Sequence, residues 1–316
     1  MPGPEVRAPE RLAVIGDASV DHFVRVPHIA GHDNKAIGQL VGIYGGGMSA
    51  NVAAAAAVQR VPVELVTKTG VGPQTDAVYR ELVSYGVELR RSVRDPERAT
   101  WMCFVQLDPT GEKALVGADT GIKVPEVTEI HPGVFADADY VMPLADDLVW
   151  AAELAELATA AGCRTAIDLE PDAFEPEQEE LRRLLGHTDV VFLNGAAAQK
   201  WAPDPLHAAR AIHALGPLEV VVSSGAAGAL HSDADGRVHR AQCTDPVQAV
   251  DTTGAGDALA GAFLGSRLGG ADPAKSLQRA VAHATSCVLH IGSRTYLEHL
   301  PQNQPTIDVT TERAPA

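Results

Sequence analysis

The sequence predicts an α/β protein, with a mostly parallel central sheet, helices on both of its faces and a small β-sheet lid. Three observations carry that prediction. Short apolar strand-like runs alternate with alanine-rich helical stretches along most of the 316 residues. Two segments break the alternation with paired strands and no helix between them, which is where the lid is expected. Hydrophobic residues make up 46% of the chain, enough for a large folded core.

Taken in order, LAVIG (12–16) reads as a buried strand. DHFVRV (21–26) and AIGQLVGIY (36–44) follow as the first lid segment. SANVAAAAAVQR (49–60) is a helix opened by Ser49 and dense in good helix formers. VELVT (63–67) is the next strand. The second lid segment is TWMCFVQLDPTGEKALVGA (100–118), a hairpin whose turn chemistry comes from Pro109, Thr110 and Gly111. Regular alternation then resumes with YVM (140–142), a helix from about 146 to 161, RTAIDL (164–169), DVVFL (189–193), a helix from about 204 to 214, and LEVVVSS (218–224). EPEQEELRR (175–183) reads as a solvated helix face. The organisation expected is one domain over 1–308, its lid drawn from about 20–44 and 98–119, with a dispensable tail at 309–316.

Charge narrows the partners. Against 25 Lys and Arg stand 41 Asp and Glu, a formal net charge of −16, so nucleic acid and anionic membranes are repelled over most of the surface. No apolar run approaches the ~18 residues of a membrane helix. Cysteines 103, 163, 243 and 287 form no C-x-x-C pair, and with no leader ahead of Arg11 they read as reduced thiols, which predicts a cytoplasmic protein.

Three stretches carry chemistry. DTTGAGDALAGAF (251–263) sets Gly254, Ala255 and Gly256 where a loop turns into a helix. Glycine allows close backbone approach, and the first N–H groups of a helix lack internal partners, so the turn can hold an anion. Asp257 is either a first-turn cap or an acid–base group beside that anion; three glycine-like positions exceed what a cap needs. In YGGGMSANVAAAA (44–56), Gly46, Gly47 and Asn51 form a tight turn with an amide that bonds either a ligand or its own backbone. VIGDASVDHFVRV leaves Asp17 and Asp21 beyond the carboxyl end of the first strand, where open α/β sheets bind ligands and where loop-capping acids are also common.

Together these stretches resemble the ribokinase family of sugar and nucleoside kinases, the PfkB carbohydrate kinases, over essentially the whole chain. The family motif D-T-x-G-A-G-D is matched by Asp251, Thr252, Gly254, Ala255, Gly256 and Asp257, and G-G-x-x-x-N by Gly46, Gly47 and Asn51. The resemblance implies a ribokinase-like fold and ATP-dependent phosphorylation of a hydroxyl, expected to be a primary CH2OH, on a small sugar or ribose-containing nucleoside. Asp257 is then the catalytic base and the Gly254, Ala255 and Gly256 amides its anion hole. Asp21, Gly46, Gly47 and Asn51 bind the acceptor. Nucleotide contacts fall to Asn194, Thr252, Ser223, Gly225 and Gly228 of the SSGAAG run, and His283 near the adenine. The paired β segments correspond to a lid, through which two copies are expected to pair.

The chain also departs from the family. Ala197 stands where the N-x-x-E motif begun by Asn194 would place a glutamate for magnesium, so the metal's residues are not assigned. Glu170 is either its substitute or a solvated loop acid. GVGPQTDAV carries Pro73, Gln74 and Ala77 in place of the family residues, and the run from His283 to Gly292 is shorter than the family's monovalent-cation loop, so activation by such a cation is not expected. Lys35, before a lid strand, is a surface lysine or a phosphate contact, and Trp101 stacks on a base or packs beneath its hairpin. The competing reading is a sugar- or nucleoside-binding regulatory protein with weakened catalysis, prompted by Ala197.

Overall fold

A computed structural model of the chain describes residues 10–109, 113–245, 247–300 and 305–313. β1 (Leu12–Gly16) is buried at every position, as a strand covered on both faces must be. β2 (Ser19–Arg25) and β3 (Gln39–Gly46) leave the main sheet, and α1 (Met48–Ala57) returns to it. β4 (Val63–Thr69), α2 (Pro73–Ser84) and the short β5 (Val87–Glu88) and β6 (Val93–Arg94) come next, and β7 (Met102–Leu107) with β8 (Lys113–Ala118) makes the second lid hairpin. Thr110 and Gly111, expected at its turn, lie outside the described residues.

The regular α/β half follows: α3 (Gly133–Asp137), β9 (Tyr140–Pro143), α4 (Leu148–Ala160), β10 (Arg164–Leu169), α5 (Glu179–Leu185), β11 (Val190–Asn194), α6 (Gly195–Gln199), α7 (Pro205–His213) and β12 (Glu219–Ser223). An antiparallel hairpin, β13 (Ala229–Asp233) and β14 (Arg237–Cys243), precedes α8 (Ala255–Leu268), α9 (Pro273–Cys287) and β15 (Ile307–Arg313). Asp147, Asp204 and Asp272 start α4, α7 and α9 by accepting bonds from first-turn amides.

The described strands form an 11-stranded sheet in the order β15-β14-β13-β12-β11-β10-β9-β1-β4-β5, with β6 also on β4, and a 4-stranded sheet in the order β3-β2-β7-β8. Pairing is parallel from β12 through β5 and antiparallel from β12 out to β15. The chain goes from β1 to β4 on one side and resumes at β9 on the other, so β1 is a topological switch point, the place where such sheets open a ligand crevice. The small sheet crosses the end of this crevice. Its register aligns Ile43, His22, Phe104 and Val116 in one row on the outward face, while Asp21, Cys103 and Gly117 make a row facing the main sheet.

Beneath the crevice α1 packs against α8 at close range. A Cβ on Gly261 would collide with the Val52 carbonyl, and one on Gly265 would lie 2.7 Å from that of Ala56. The alanines of α1 and glycines of α8 thus let two backbones nearly touch.

One expectation changes. The tail expected at 309–316 is ordered sheet through Arg313, because β15 pairs with β14 along its whole length and buries Ile307. The charge run at 175–183 is helical only from Glu179; its Glu and Arg side chains are solvated, as expected, while Leu181 is buried, with Leu184 and Leu185 just beyond the run. No helix among the described residues is long and apolar enough to cross a membrane.

Candidate active site

Where β1, β10, β11 and β12 end, the chain supplies Asp17, Asp168, Glu170, Asn194 and Ser223 to a cavity of about 480 Å³ roofed by lid residues Asp21, Cys103, Lys113, Leu115 and Gly117. A second cavity of about 280 Å³ adjoins it, between the Gly225–Gly228 turn and α9. Ser223, Thr252, Ala255, Gly256 and Leu259 line both, so the start of α8 is the wall between them.

That wall is built for close approach. Gly254 takes a left-handed φ of 79°, and a Cβ there would meet Ser293. The loop before it is tied down by Asp251, whose carboxylate accepts from the Thr253 amide at 2.9 Å, the Thr253 hydroxyl at 2.6 Å and the Gly292 amide at 3.0 Å. The amide of Ala255, first in α8, bonds the Thr252 carbonyl at 3.4 Å, and first-turn amides have no partner four residues back within their own helix.

Asp257, in the first turn of α8 and 7% exposed, accepts a bond from Asn51 Nδ2 at 2.8 Å. Burial pushes its carboxyl well above the usual range; the Asn51 bond opposes that, and the negative charges of Asp168, Asp17 and Glu170 add to it. Burial, reinforced by Glu170 and Asp146, takes Asp168 up to about 7. Burial likewise raises Asp17, against the Ser49 amide that donates to it at 2.9 Å, and raises Glu170. Asp21 accepts from the Ser19 hydroxyl at 2.6 Å and packs so tightly on Gly46 that a side chain there would strike its carboxylate.

Two lysines enter this acidic space from the lid side. Lys113 donates to the Thr253 hydroxyl at 3.1 Å, bridging lid and loop. Lys123 pairs with Asp146 and lies 5.3 Å from the Trp101 ring.

The family model of pfkB carbohydrate kinases matches residues 9–300. The chain belongs to the PfkB family. An ATP-dependent ribose-1-phosphate kinase of Halopiger xanaduensis is 29% identical over 94% of this chain and 96% of its own length, and a ribokinase of Haemophilus influenzae is 24% identical over 94% and 97%. The solved structure of Arabidopsis thaliana ribokinase complexed with ribose and ATP superposes with a TM-score of 0.74 at 22% identity, covering 94% of this chain and 100% of the other. This PfkB kinase is therefore a phosphotransferase with an alcohol acceptor, on a ribokinase-like fold.

Within the kinase, the residues expected at the site are largely brought together. Asp21, Gly47, Asn51, Asn194 and Asp257 line the larger cavity, Gly225 and Gly228 the smaller, and Ser223, Thr252, Ala255 and Gly256 both. Gly46 lies behind Asp21, its carbonyl turned to Arg294.

His283 is a correction. Its ring sits on the opposite face of α9 from Val281, Ala284, Thr285 and Val288, which line the smaller cavity. It is buried against Tyr296 and bonded to Gln59 at 2.8 Å, and burial takes its imidazole down to about 4. Lys35 is exposed on the loop between β2 and β3 and lines neither cavity. Trp101 packs beneath its own hairpin, its indole against Gly117, and borders the larger cavity.

Sequence reasoning missed Asp168, Lys113, Lys123 and Arg294. Asp168 had a signal, since it is the penultimate residue of the predicted strand RTAIDL, at the sheet's carboxyl edge. Lys113 follows the lid turn without any pattern to mark it, and Arg294 lies in the irregular run after α9. Glu170, read as substitute or loop acid, is a cavity residue 3.4 Å from Asn194 Nδ2. Among the described residues no three His, Cys, Asp or Glu converge to cage a metal.

Proposed function

We propose that this kinase transfers the γ-phosphoryl group of ATP to a hydroxyl, a primary CH2OH, of a small sugar or of a nucleoside's ribose. The observation that carries the reading is Asp257, which lines the larger cavity from the first turn of α8, whose opening residues Ala255 and Gly256 line both cavities. ATP lies with its base in the smaller cavity and its γ-phosphate over Gly254–Gly256. The acceptor lies in the larger one, held by Asp21 and Asn51.

Asp257 receives the proton of the acceptor hydroxyl as that oxygen attacks phosphorus in line and ADP leaves. Its buried setting favours taking the proton up, and the helix-end amides hold charge developing on the phosphoryl oxygens. Lys113, already reaching from the lid to the phosphate-side loop, closes the site and excludes water.

Magnesium bound with ATP supplies charge neutralisation at the phosphates. The donors present suit it: Mg²⁺ takes one or two carboxylates and keeps several waters, and Glu170 beside Asn194 offers such an edge, with Asp168 nearby in the same cavity. Ala197, wholly buried, has no part in it.

Five carboxylates, Asp17, Asp21, Asp168, Glu170 and Asp257, outnumber two lysines that already have partners. That charge favours an uncharged polyol acceptor over a phosphorylated one. The apolar outward face of the lid is the surface through which we propose that two copies pair.

The test is ADP release from MgATP across a panel of sugars, nucleosides and sugar phosphates. Turnover with an uncharged acceptor is expected. Asp257→Asn is expected to lower it by ~10²- to 10⁴-fold while ATP still binds; undiminished turnover in that variant removes the base. Absence of ADP with every acceptor, while acceptors still raise the melting temperature, would establish the binding-protein alternative.

A further inference from the structure

Arg294 is 1% exposed, the largest side chain buried so completely among the described residues. A guanidinium is costly to bury unless its donors are satisfied; here Nε has no partner, and the hydrogen bonds are made by the two terminal nitrogens. Nη2 bonds Glu81 Oε2 at 3.0 Å, and Nη1 bonds the Gly46 carbonyl at 3.2 Å and Asn51 Oδ1 at 2.7 Å. Asn51 Nδ2 in turn bonds Asp257 Oδ2 at 2.8 Å. Glu81 comes from α2, Asn51 from α1, Asp257 from α8 and Arg294 from the turn after α9, so four segments meet in one hydrogen-bonded row.

The row has a fixed polarity. A carboxamide has one accepting and one donating end, whereas a guanidinium only donates. Arg294 therefore accepts only the Oδ1 end of Asn51 as a neighbour, and the Nδ2 end must face Asp257.

We propose that Arg294 is a positioning residue for the phosphoryl-transfer step, holding the Asn51 amide so that it always donates to the Asp257 carboxylate. This rests on Asp257 being the base. A donor on that carboxylate favours its ionised form, the form able to take a proton. With Arg294 gone the amide is free to turn, and its oxygen toward Asp257 favours the protonated acid, which cannot act. Burial works most strongly against the charge on Asp257, joined by the carboxylates of Asp168 and Glu170 at the end of β10 and of Asp17 after β1, while Lys113 faces the same cavity from the lid. The Asn51 amide is thus the chief counterweight, and Arg294 is what orients it.

The experiment compares Arg294→Met, Arg294→Lys and Glu81→Gln with the unaltered chain. It measures kcat against pH and, by ¹³C NMR on aspartate-labelled protein without substrates, titrates Asp257, with Asp257→Asn identifying the signal. In Arg294→Met the acidic limb of kcat and the Asp257 titration move together to higher pH by about one unit. At the foot of the limb kcat falls about tenfold while KM for ATP holds. Arg294→Lys, which keeps one donor for Oδ1, shifts both less. Glu81→Gln, which loosens the guanidinium from a partly exposed position, shifts both in the same direction and decides the matter if Arg294→Met does not fold. An unmoved titration in the folded variants overturns the proposal. Should Asp257→Asn keep its turnover while Arg294→Met still moves the titration, the base assignment fails and the orienting role stands.

Discussion

Glu170 shows how a single side chain takes its meaning from its neighbours. In sequence it is an acid after a strand, a position where loop caps abound. In the folded chain it faces the larger cavity beside Asn194, its pKa raised by burial and by Asp146 and Asp172. If it holds the hydration shell of magnesium, Glu170→Gln raises the Mg²⁺ concentration for half-maximal turnover about tenfold or more and weakens Mg²⁺-dependent, but not Mg²⁺-free, ATP binding, as titration calorimetry would show. Equal Mg²⁺ requirements in both proteins would return Glu170 to the role of a loop acid. At this scale the sequence was legible wherever function demands a glycine or an acid at a chain reversal, as at Gly254 and Asp257. It was illegible at Arg294, whose partners lie 213 and 243 residues away and leave no local pattern.

Elements carry the site through their spacing. Asn51 and Asp257 lie within hydrogen-bond reach because α1 and α8 approach so closely that Gly261 has no room for a Cβ against Val52. Gly261→Ala must push the helices apart, at a cost of ~1–3 kcal/mol in unfolding free energy, and lower kcat as the Asn51–Asp257 bond lengthens. Chemical denaturation and steady-state kinetics on the same preparation check both, and a fully stable, fully active variant would show that the helices tolerate separation. The alternation of strands and helices from β9 to β12 was plain in sequence, because each buried parallel strand is a short continuous apolar run. The β13–β14 hairpin had a signal too, in Asp235 and Gly236 at its turn. β15 had none: IDVTTER is polar and mostly exposed, and only pairing with β14 makes it a strand.

At the scale of the molecule, a chain of net charge −16 resists nonspecific association, yet its lid turns Leu40, Ile43, Phe104 and Val116 outward. Ile43, Phe104 and Val116 fall in one row across the strands, the kind of contiguous apolar face that marks an interface. Sedimentation is expected to find a dimer that Phe104→Asp converts to monomer; a wild-type monomer at micromolar concentration would remove the pairing. The wall between the two cavities has a stereochemical consequence. The carboxylate there, Asp257, takes the proton in the proposed reaction and not the phosphoryl group, and the residues that line both cavities, Ser223, Thr252, Ala255, Gly256 and Leu259, add no imidazole or thiolate on which that group would rest. The group must cross in one displacement while donor and acceptor are both held, so a chiral thiophosphoryl donor emerges with its configuration inverted, and double-reciprocal plots for the two substrates intersect instead of running parallel.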